Sequence, residues 1–576
     1  MSDAPKEQTL PERPAGEGAA EGEKGPSKNA LKKAAKEKEK AEKAAKRKAE
    51  EAAQKQAAEA NDISKDSYGD LPLIGSKEYT PPNDNRTTLR DIAAKYAGST
   101  SLATEGSSPE VRFRAVVENA REQSAKLTFL VLGHKLDTIQ AVVAASDTLS
   151  RQMVKFAKNI TSQSQVLVHG RVTQPKDEVK STTIGTLEIQ VTKLFVIARA
   201  ETPLPIQVED CERPLPEDGT SDAQAQKPEE EAGRPIVALN TRLNNRTIDL
   251  RAKLNLSIFT IKDGVVALFS EFLRERGFLG IQTPKMLGAA SESGASVFEI
   301  KYFNTKAYLA QSPQLHKQML IAAQFERVFE VGPVFRAENS NTARHLTEFT
   351  GLDLEMAFEE HYHEVVALLE ELMLYIFNGL RTRYARETEL VRRTYRVEEF
   401  KLPEAGKVPR IPFSEGVKML REAGVEIGDY DDISTAQEKH LGRLVLQKYG
   451  TDFYVLDKYP LAVRPFYTMP SPETSANPPA EQLSNSYDFH MRGQEILSGA
   501  QRVHDAKLLQ ERMRGMDPPV NPDQPGLKEY VDSFKAGCPP HAGAGLGLER
   551  IVMLWLGLPN IRLATAFTRD PSRLSP

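Results

Sequence analysis

The stretch from Phe329 to Phe358, FEVGPVFRAENSNTARHLTEFTGLDLEMAF, decides how the rest of the chain is read. It opens apolar through Val331 to Phe335, as a buried strand does. Arg336 and Glu338 follow two residues apart, which puts them on one face of a continued strand. A polar segment, Asn339 to Arg344, leads to a second apolar run carrying Phe349, Asp353 and Glu355. The pattern predicts two antiparallel strands joined by a long loop with a basic tip. Arg336 offers a planar fork of donors suited to phosphate or carboxylate. Glu338 is suited to hold a purine amino group or to orient the loop. On residue types alone, a surface hairpin with a structural Arg–Glu pair fits equally well.

Outside this stretch, bulk properties set the frame. A chain of 576 residues is too long for one core, so two or three domains are expected. The net charge is −4 and unevenly spread. Cys211 and Cys538 lie far apart, with no CxxC spacing for zinc and no disulfide framework, which fits a reducing compartment. No run of apolar residues is long enough to span a membrane. The N-terminal MSDAPKEQTL lacks the apolar core of a signal peptide and is too acidic for a transit peptide, so a cytoplasmic location is expected.

Residues 1–105 read as an extension. Residues 1–27 have a disordered composition. Lys28 to Lys55 holds eleven Lys or Arg against five Glu, in an Ala-rich background that favours helix. Lys28, Lys32, Lys36, Lys40, Lys43 and Arg47 fall on one helical stripe with no apolar face behind it. That is a solvated linker helix or an arm for nucleic-acid phosphates. Residues 61–105 read as a loosely ordered connector.

Residues 106–200 read as a β domain with strands at Val111–Glu118, Lys126–Gly133, Thr138–Ala145, Val166–Thr173 and Leu187–Ala198. A helix over Ser150–Ile160 follows the third strand, the OB-fold order. Such a barrel binds oligonucleotides through stacked aromatics and polar groups at base edges. Phe129, Gln140 and Glu188 sit on its strands; singly, Phe129 fits a core position and the other two fit solvated ones. Residues 201–240 hold a hinge and an acidic insertion at about Glu217–Gly233; residues 201–233 carry ten Asp or Glu against two Lys or Arg.

Residues 241–576 read as the second domain. Ile258, Ile261, Val265, Leu268, Phe269 and Phe272 mark an amphipathic helix, followed by a short strand over Ile281–Pro284. Gln314 and Lys317 share a helical face. Further helices are expected at Val365–Phe377, Glu415–Ala423 and Ala436–Tyr449, with Tyr454–Pro470 returning as strand. Ser486–Asp488 and Glu495–Arg502 alternate as strands. Glu495 is a hard oxygen donor suited to Mg²⁺ beside phosphates. A glycine-rich loop at Gly543–Gly547 precedes a helix starting near Leu548. Arg550 in that helix's first turn opposes its dipole, which calls for an anionic partner.

Phe335-Arg336-Ala337-Glu338, His345 and Thr347-Glu348-Phe349 resemble motif 2 of the class II aminoacyl-tRNA synthetases. The helix and strand ending at Pro284 resemble motif 1, and Gly543-Ala-Gly-Leu-Gly-Leu-Glu-Arg550 resembles motif 3. Gln311-Ser-Pro-Gln314-Leu-His-Lys317, Phe358-Glu-Glu-His-Tyr-His-Glu364 and Leu497-Ser-Gly-Ala-Gln-Arg502 resemble the eukaryotic cytosolic aspartyl branch of that family.

The resemblance implies an α+β protein: an OB-fold anticodon-binding domain, a class II catalytic domain on an antiparallel sheet, and a basic extension. It implies ligation of L-aspartate to tRNA(Asp) with ATP as co-substrate and Mg²⁺, in a homodimer packed through motif 1 at Pro284. Aspartate would be held by Glu292, Gln314, Lys317, Arg336, Asp353, Ser498 and Arg502. Arg336, Glu338, Arg344, His345, Leu346, Phe349, Glu495, Gly547, Leu548, Glu549 and Arg550 would form the ATP site. Arg336, Arg550 and Glu495 would be its catalytic members, with Glu495 and Ser498 holding Mg²⁺. Phe129 would stack on the anticodon, Gln140 and Glu188 would read base edges, and Lys28, Lys32, Lys33 and Lys36 would follow the tRNA backbone. One departure stands out: the family shows Phe-Pro-Arg-Asp where this chain has Phe567-Thr568-Arg569-Asp570.

Overall fold

The structure, a computed structural model, describes residues 62–73, 86–98, 108–215, 235–289, 297–403 and 407–576. The basic arm, the acidic insertion and Glu292 lie outside the described residues. The chain divides into two compact units at Thr202 and Pro203.

The first unit is a closed barrel. Its strands are β1 (Tyr68–Asp70), β2 (Glu110–Ser124), β3 (Leu127–His134), β4 (Asp137–Ala144), β5 (Gln165–Thr173) and β6 (Ile184–Ala198), in the order β1-β6-β4-β3-β2-β5 with β6 also pairing β5. Alternating Val111, Phe113, Ala115 and Val117 of β2 fill the interior with Leu130 and Leu132 of β3. The expected helix is α1's successor in sequence: α1 spans Leu89–Tyr96 and α2 spans Arg151–Lys158. Part of the supposed connector therefore belongs to the barrel. β1 adds a parallel strand to β6, and α1 buries Leu89 and Ile92 in the core. A capping box explains why α1 starts there: the Asp91 amide donates to Thr88 Oγ1 (3.2 Å) and the Thr88 amide to Asp91 Oδ2 (3.2 Å). One short helix and a three-residue strand carry too little periodicity to stand out between polar segments.

The second unit is built on eight strands: β7 (Leu279–Gly280), β11 (Arg327–Phe335), β12 (Glu348–Ala357), β13 (Arg410–Pro412), β14 (Phe453–Asp457), β15 (Ser486–Met491), β16 (Gln494–Gln501) and β17 (His541–Gly547). Their order is β13-β14-β15-β16-β17-β12-β11-β7. All pairs are antiparallel except the two at the ends, β13–β14 and β11–β7. A small sheet of β8 (Met286–Leu287), β9 (Glu299–Tyr302) and β10 (Thr305–Leu309) stands apart.

Helix α3 (Lys253–Glu275) buries all six residues read from its periodicity. They pack with Phe329, Leu352 and Leu354 of the sheet and with Leu369, Ile376 and Leu380 of α5 (His363–Arg383). Each such side chain contributes about 1.5–3 kcal/mol by leaving water. Residues 203–215, read as hinge, pack on this unit: Val208 and Cys211 bury against Ala252, and the Glu212 carboxylate accepts from the Leu254 amide at 3.0 Å, an anionic cap on α3. The later helices are α4 (Gln314–Ala322), α6 (Ala385–Tyr395), α7 (Phe413–Glu422), α8 (Thr435–Tyr449), α9 (Ala506–Arg514) and α10 (Lys528–Phe534).

Four boundaries differ from expectation. The strand after α3 is Leu279–Gly280; beyond it the Ile281 amide still donates to the Phe329 carbonyl oxygen at 2.8 Å and the Thr283 amide to the Glu330 carboxylate at 3.0 Å. β11 ends at Phe335, so Arg336 and Glu338 belong to the loop. Only Phe453–Asp457 of the run to Pro470 is strand, because Pro460 and Pro465 turn the chain. The glycine-rich segment is no loop: Gly543, Gly545 and Gly547 lie in β17.

Candidate active site and nucleic-acid interface

β12, β16 and β17 form the floor of a cleft of about 290 Å³. Phe349, Gly351 and Asp353 of β12 alternate toward it, and β17 crosses alongside with glycines. Those glycines are demanded by close packing: a Cβ on Gly543 would stand 2.2 Å from both Glu355 Oε2 and the Leu354 carbonyl oxygen. α11 (Leu548–Leu556) follows directly, with Arg550 in its first turn.

β16 carries a bulge that builds the site. His490 pairs with Glu495 and Phe489 with Leu497, so Ile496 is an extra residue. In a regular strand, residues 495 and 498 would face opposite ways. The bulge turns both Glu495 and Ser498 into the cleft.

One end of the cleft is basic. Arg336, Arg344, His345 and Arg550 line it together with Glu338 and Phe349. The Arg336 guanidinium lies 5.5 Å from the centre of the Phe349 ring, and Arg336 Nη1 is 3.9 Å from Glu338 Oε1. Arg344 donates to Thr435 Oγ1, and its Nη1 is 4.0 Å from Glu438 Oε2, so α8 braces the loop. His345 Nδ1 meets Thr342 Oγ1 at 2.6 Å; burial and Arg344 push the imidazole down, with Glu338 opposing them. Arg550 donates from Nη1 to the Glu495 carbonyl oxygen at 3.1 Å. Burial depresses the Arg550 guanidinium, partly offset by the Glu495 carboxylate. Burial and Asp488 raise the Glu495 carboxyl, while Arg550 and Arg464 oppose them.

Not every residue read into this end reaches it through its side chain. Leu548 is buried in the core, and Leu346 joins the same core while lining the cleft. Glu549 is a strut: its carboxylate accepts from Lys262 Nζ (2.7 Å) and from the Thr350 amide (3.0 Å). Thr568, where proline was expected, is buried with its hydroxyl 2.7 Å from Thr565 Oγ1, and the Arg569 carbonyl next to it accepts from the Thr347 amide at 3.0 Å.

The opposite end is a buried network of fixed charge. Arg502 donates from Nε to Glu355 Oε1 at 3.0 Å and from Nη2 to the Gly543 carbonyl at 3.0 Å. Lys317 Nζ lies 3.3 Å from Glu355 Oε2 and 3.2 Å from Asp353 Oδ1. Against the cost of burial, Arg502 and Lys317 hold Glu355 below the usual carboxylate range. Lys317 stands behind the wall, while Gln314, Asp353, Ser498 and Arg502 line the cleft. Glu355, two residues beyond Asp353 on the same face, was legible from alternation but its role as clamp was not.

Two further residues escaped the sequence reading, Arg464 and Asp488. Asp488 pairs with Ser498 across the sheet. Arg464 donates to Asp488 Oδ2 at 2.7 Å and to Ser498 Oγ at 3.1 Å, and Asp488 Oδ1 is buried without a hydrogen-bond partner among the described residues. Strand register, invisible in one sequence, brings them together. An orphaned carboxylate oxygen beside Glu495 and Ser498 is a donor set that fits Mg²⁺, which takes one or two carboxylates and completes its shell with water and phosphate.

On the barrel, Phe129 of β3, Gln140 of β4 and Glu188 of β6 share the outer face. Gln140 Nε2 donates to Glu188 Oε2 at 3.2 Å and Gln190 Nε2 to Glu188 Oε1 at 2.9 Å. Phe129 is half-buried outside the core, with the Arg121 guanidinium 5.5 Å from its ring centre.

Residues 238–571 match the family described as tRNA synthetases class II (D, K and N). The chain belongs to this class II synthetase family. It is 49% identical over 519 residues to the cytoplasmic aspartate–tRNA ligase of Homo sapiens, covering 90% of this chain and 96% of that one. It is 44% identical over 559 residues to the Caenorhabditis elegans counterpart, covering 97% and 99%. Among solved structures, the aspartyl tRNA synthetase from Entamoeba histolytica superposes with a TM-score of 0.76 at 40% identity, over 88% of this chain and 96% of that one. The asparaginyl-tRNA synthetase from Pyrococcus horikoshii with asparaginyl-adenylate gives 0.66 at 28% identity, over 81% and 96%. Both the aspartyl and the asparaginyl synthetase therefore share this backbone, and the choice between their substrates rests on side chains.

Proposed function

We propose that this class II synthetase is an aspartate–tRNA ligase of the cytoplasm, joining L-aspartate to tRNA(Asp) through an aspartyl-adenylate. The observation that carries the reading is the Arg502–Glu355–Lys317 clamp at one end of a cleft whose other end gathers three arginines. Aspartate and asparagine have nearly the same shape, so charge must separate them. Glu355 and the Gly543 carbonyl hold Arg502 through Nε and Nη2, which leaves Nη1 to donate to a carboxylate in the cleft, with Lys317 adding charge behind it. An amide would set its NH₂ against those donors, and a site built for one polar partner rejects an analogue lacking it by about 10⁴-fold or more.

Asp353 and Gln314 take the substrate ammonium, and Glu292 is the third residue assigned to it. Arg336 takes the α-phosphate and the reacting carboxylate, and Phe349 with Arg550 encloses adenine. Glu338 meets the adenine amino group, and Arg344 and His345 receive the outer phosphates. The carboxylate is already a nucleophile and pyrophosphate is a stable leaving group, so no general base is required. The rate comes from alignment and from fixed positive charge around the pentacoordinate phosphorus. Glu495, Asp488 and Ser498 would hold Mg²⁺, which when bound neutralises phosphate charge.

Phe129, Gln140 and Glu188 form the anticodon-reading face, and the lysines of the N-terminal arm follow the tRNA backbone. A homodimer forms through the edge beside β7, where Leu279, Pro284 and Met286 are exposed at the end of the sheet. Amino-acid-dependent ATP–pyrophosphate exchange across the twenty amino acids tests the reading. Exchange with L-aspartate alone is expected; equal exchange with L-asparagine overturns it.

A further inference from the structure

Gln314, at the amino-acid end of the cleft, heads a hydrogen-bonded chain of four side chains, of which the other three lie outside the cleft lining. Gln314, Gln318, Tyr530 and His541 are all at most 5% exposed. His541 Nδ1 lies 2.9 Å from the Pro539 carbonyl oxygen. A carbonyl only accepts, so Nδ1 carries the hydrogen. Burial pushes the imidazole down to about 4, so the ring is neutral and Nε2 is a bare acceptor. Gln318 Nε2 is 3.0 Å from that nitrogen, so the Gln318 amide must turn its NH₂ toward His541. Its Oε1 then faces Tyr530, whose hydroxyl donates at 3.0 Å, and Gln314, whose Nε2 donates at 3.0 Å. The Gln314 amide nitrogen is also 3.5 Å from Glu355 Oε2.

Each link leaves the next only one orientation. Gln314 has its nitrogen committed on the protein side, which leaves its carbonyl oxygen as the group it offers the cleft it lines. A free glutamine side chain would present either end of its amide, because the two are nearly the same size. Facing an ammonium, only the oxygen is attractive; the reversed amide opposes one donor to another. The tautomer of a buried histidine on β17 therefore sets the polarity of a ligand-facing group on α4.

We infer that Gln318, fixed by His541 and Tyr530, is a positioning residue that turns the Gln314 carbonyl toward the ammonium of the amino-acid substrate. The inference rests on the aspartate reading above and extends it to residues that touch no substrate. The role is selective: it concerns the ammonium and leaves recognition of the two carboxylates to Arg336, Arg502 and Lys317.

That selectivity supplies the test. L-Malate carries both carboxylates of L-aspartate but has a hydroxyl in place of the ammonium. A hydroxyl both donates and accepts, so it is indifferent to the direction of the Gln314 amide. Gln318→Met keeps the volume and removes both polar ends. The expected result is a KM for aspartate in pyrophosphate exchange raised about tenfold with kcat little changed, the loss of one hydrogen bond to a charged group. Inhibition by L-malate stays within about twofold of the parent. Tyr530→Phe, which removes a single donor to Gln318 and leaves the histidine link in place, shifts the aspartate KM by less than Gln318→Met. Equal weakening of aspartate and malate means a merely structural role and overturns the inference, as does no change in either. Nitrogen NMR of the imidazoles in the parent enzyme tests it without any variant: a hydrogen on His541 Nε2 at neutral pH overturns it. A parent enzyme with no aspartate-dependent exchange removes the aspartate reading instead, and the tautomer measurement still stands.

Discussion

On the barrel, the Glu188 carboxylate is oriented by two neutral amides, Gln140 and Gln190, on a half-buried outer face. In the catalytic unit, the Glu355 carboxylate is oriented by two cations, Lys317 and Arg502, and is fully buried. Water remains available to the first, so a group left without its partner there is re-solvated at small cost. The second has no such recourse, and a lost partner leaves an uncompensated charge. The difference follows from the ligands each site is proposed to receive. A base edge asks for neutral hydrogen bonds that can be exchanged with solvent, whereas a small dicarboxylate asks for fixed charge in a closed place.

The largest expected effect is at the buried end. Arg502→Leu should abolish aspartate-dependent exchange, a loss of about 10³-fold or more, and also cost stability on the order of 3–5 kcal/mol by stranding Glu355. Exchange assays with thermal unfolding check both, and ATP binding should survive. Unchanged stability would break the contrast, because the clamp would then tolerate losing a cation as easily as the barrel tolerates losing an amide.

Phe129→Ala comes next. Removing one stacking surface should weaken tRNA by about 1–3 kcal/mol, read as a raised KM for tRNA in aminoacylation. Pyrophosphate exchange without tRNA should be intact, since Phe129 stands outside the barrel core. A collapse of exchange would mean that the barrel's outer face carries structural weight after all.

Glu438 sharpens the contrast from within the catalytic unit. Burial, reinforced by the Glu495 carboxylate, pushes its carboxyl from 4.5 up to about 7, with Arg344 and Arg550 opposing. The folded chain therefore keeps a proton that the unfolded chain has released, so stability falls as pH rises from about 4.5 to about 7. Glu438→Gln removes this penalty: it should gain about 2 kcal/mol at pH 8 and almost nothing at pH 4.5, in urea unfolding at the two pH values. A gain of the same size at both would assign the effect to packing. The smallest effect is Gln190→Leu on the barrel, which frees one oxygen of Glu188 and should weaken tRNA by about 0.5–1.5 kcal/mol. A larger loss would mean that the face is as rigid as the clamp.

What could be read beforehand followed period and motif. The apolar stripe of α3 and the alternation of β12 named their own buried faces, and the residues of the basic end came with their motif. What could not be read depended on pairing between strands. Asp488 meets Ser498 only through register, and Glu495 shares a face with Ser498 only because Ile496 bulges. Spacing also cannot show which partners a charge already has. Lys317 and Arg502 read as cations for the substrate carboxylate, and the structure adds that Glu355 pairs with both. Glu549 read as a nucleotide contact; it lines the cleft, and its carboxylate also holds Lys262. The short α1 was missed because its stability comes from a cap and two buried side chains, which a search for long periodic stripes passes over.

The loop that follows β11 is anchored from far downstream. Arg562 donates to the Thr342 carbonyl oxygen at 2.9 Å and to Asn341 Oδ1 at 2.6 Å, and the Arg569 carbonyl receives the Thr347 amide. These contacts span more than two hundred residues of chain. During synthesis, the sheet strands and α11 can leave the ribosome while the loop's moorings are still being translated. Such a nascent chain holds a floor without a fastened nucleotide loop, so it consumes no ATP before its last turns are made. The order of translation thus becomes a safeguard: adenylate chemistry begins only in a chain that has been completed as far as Asp570.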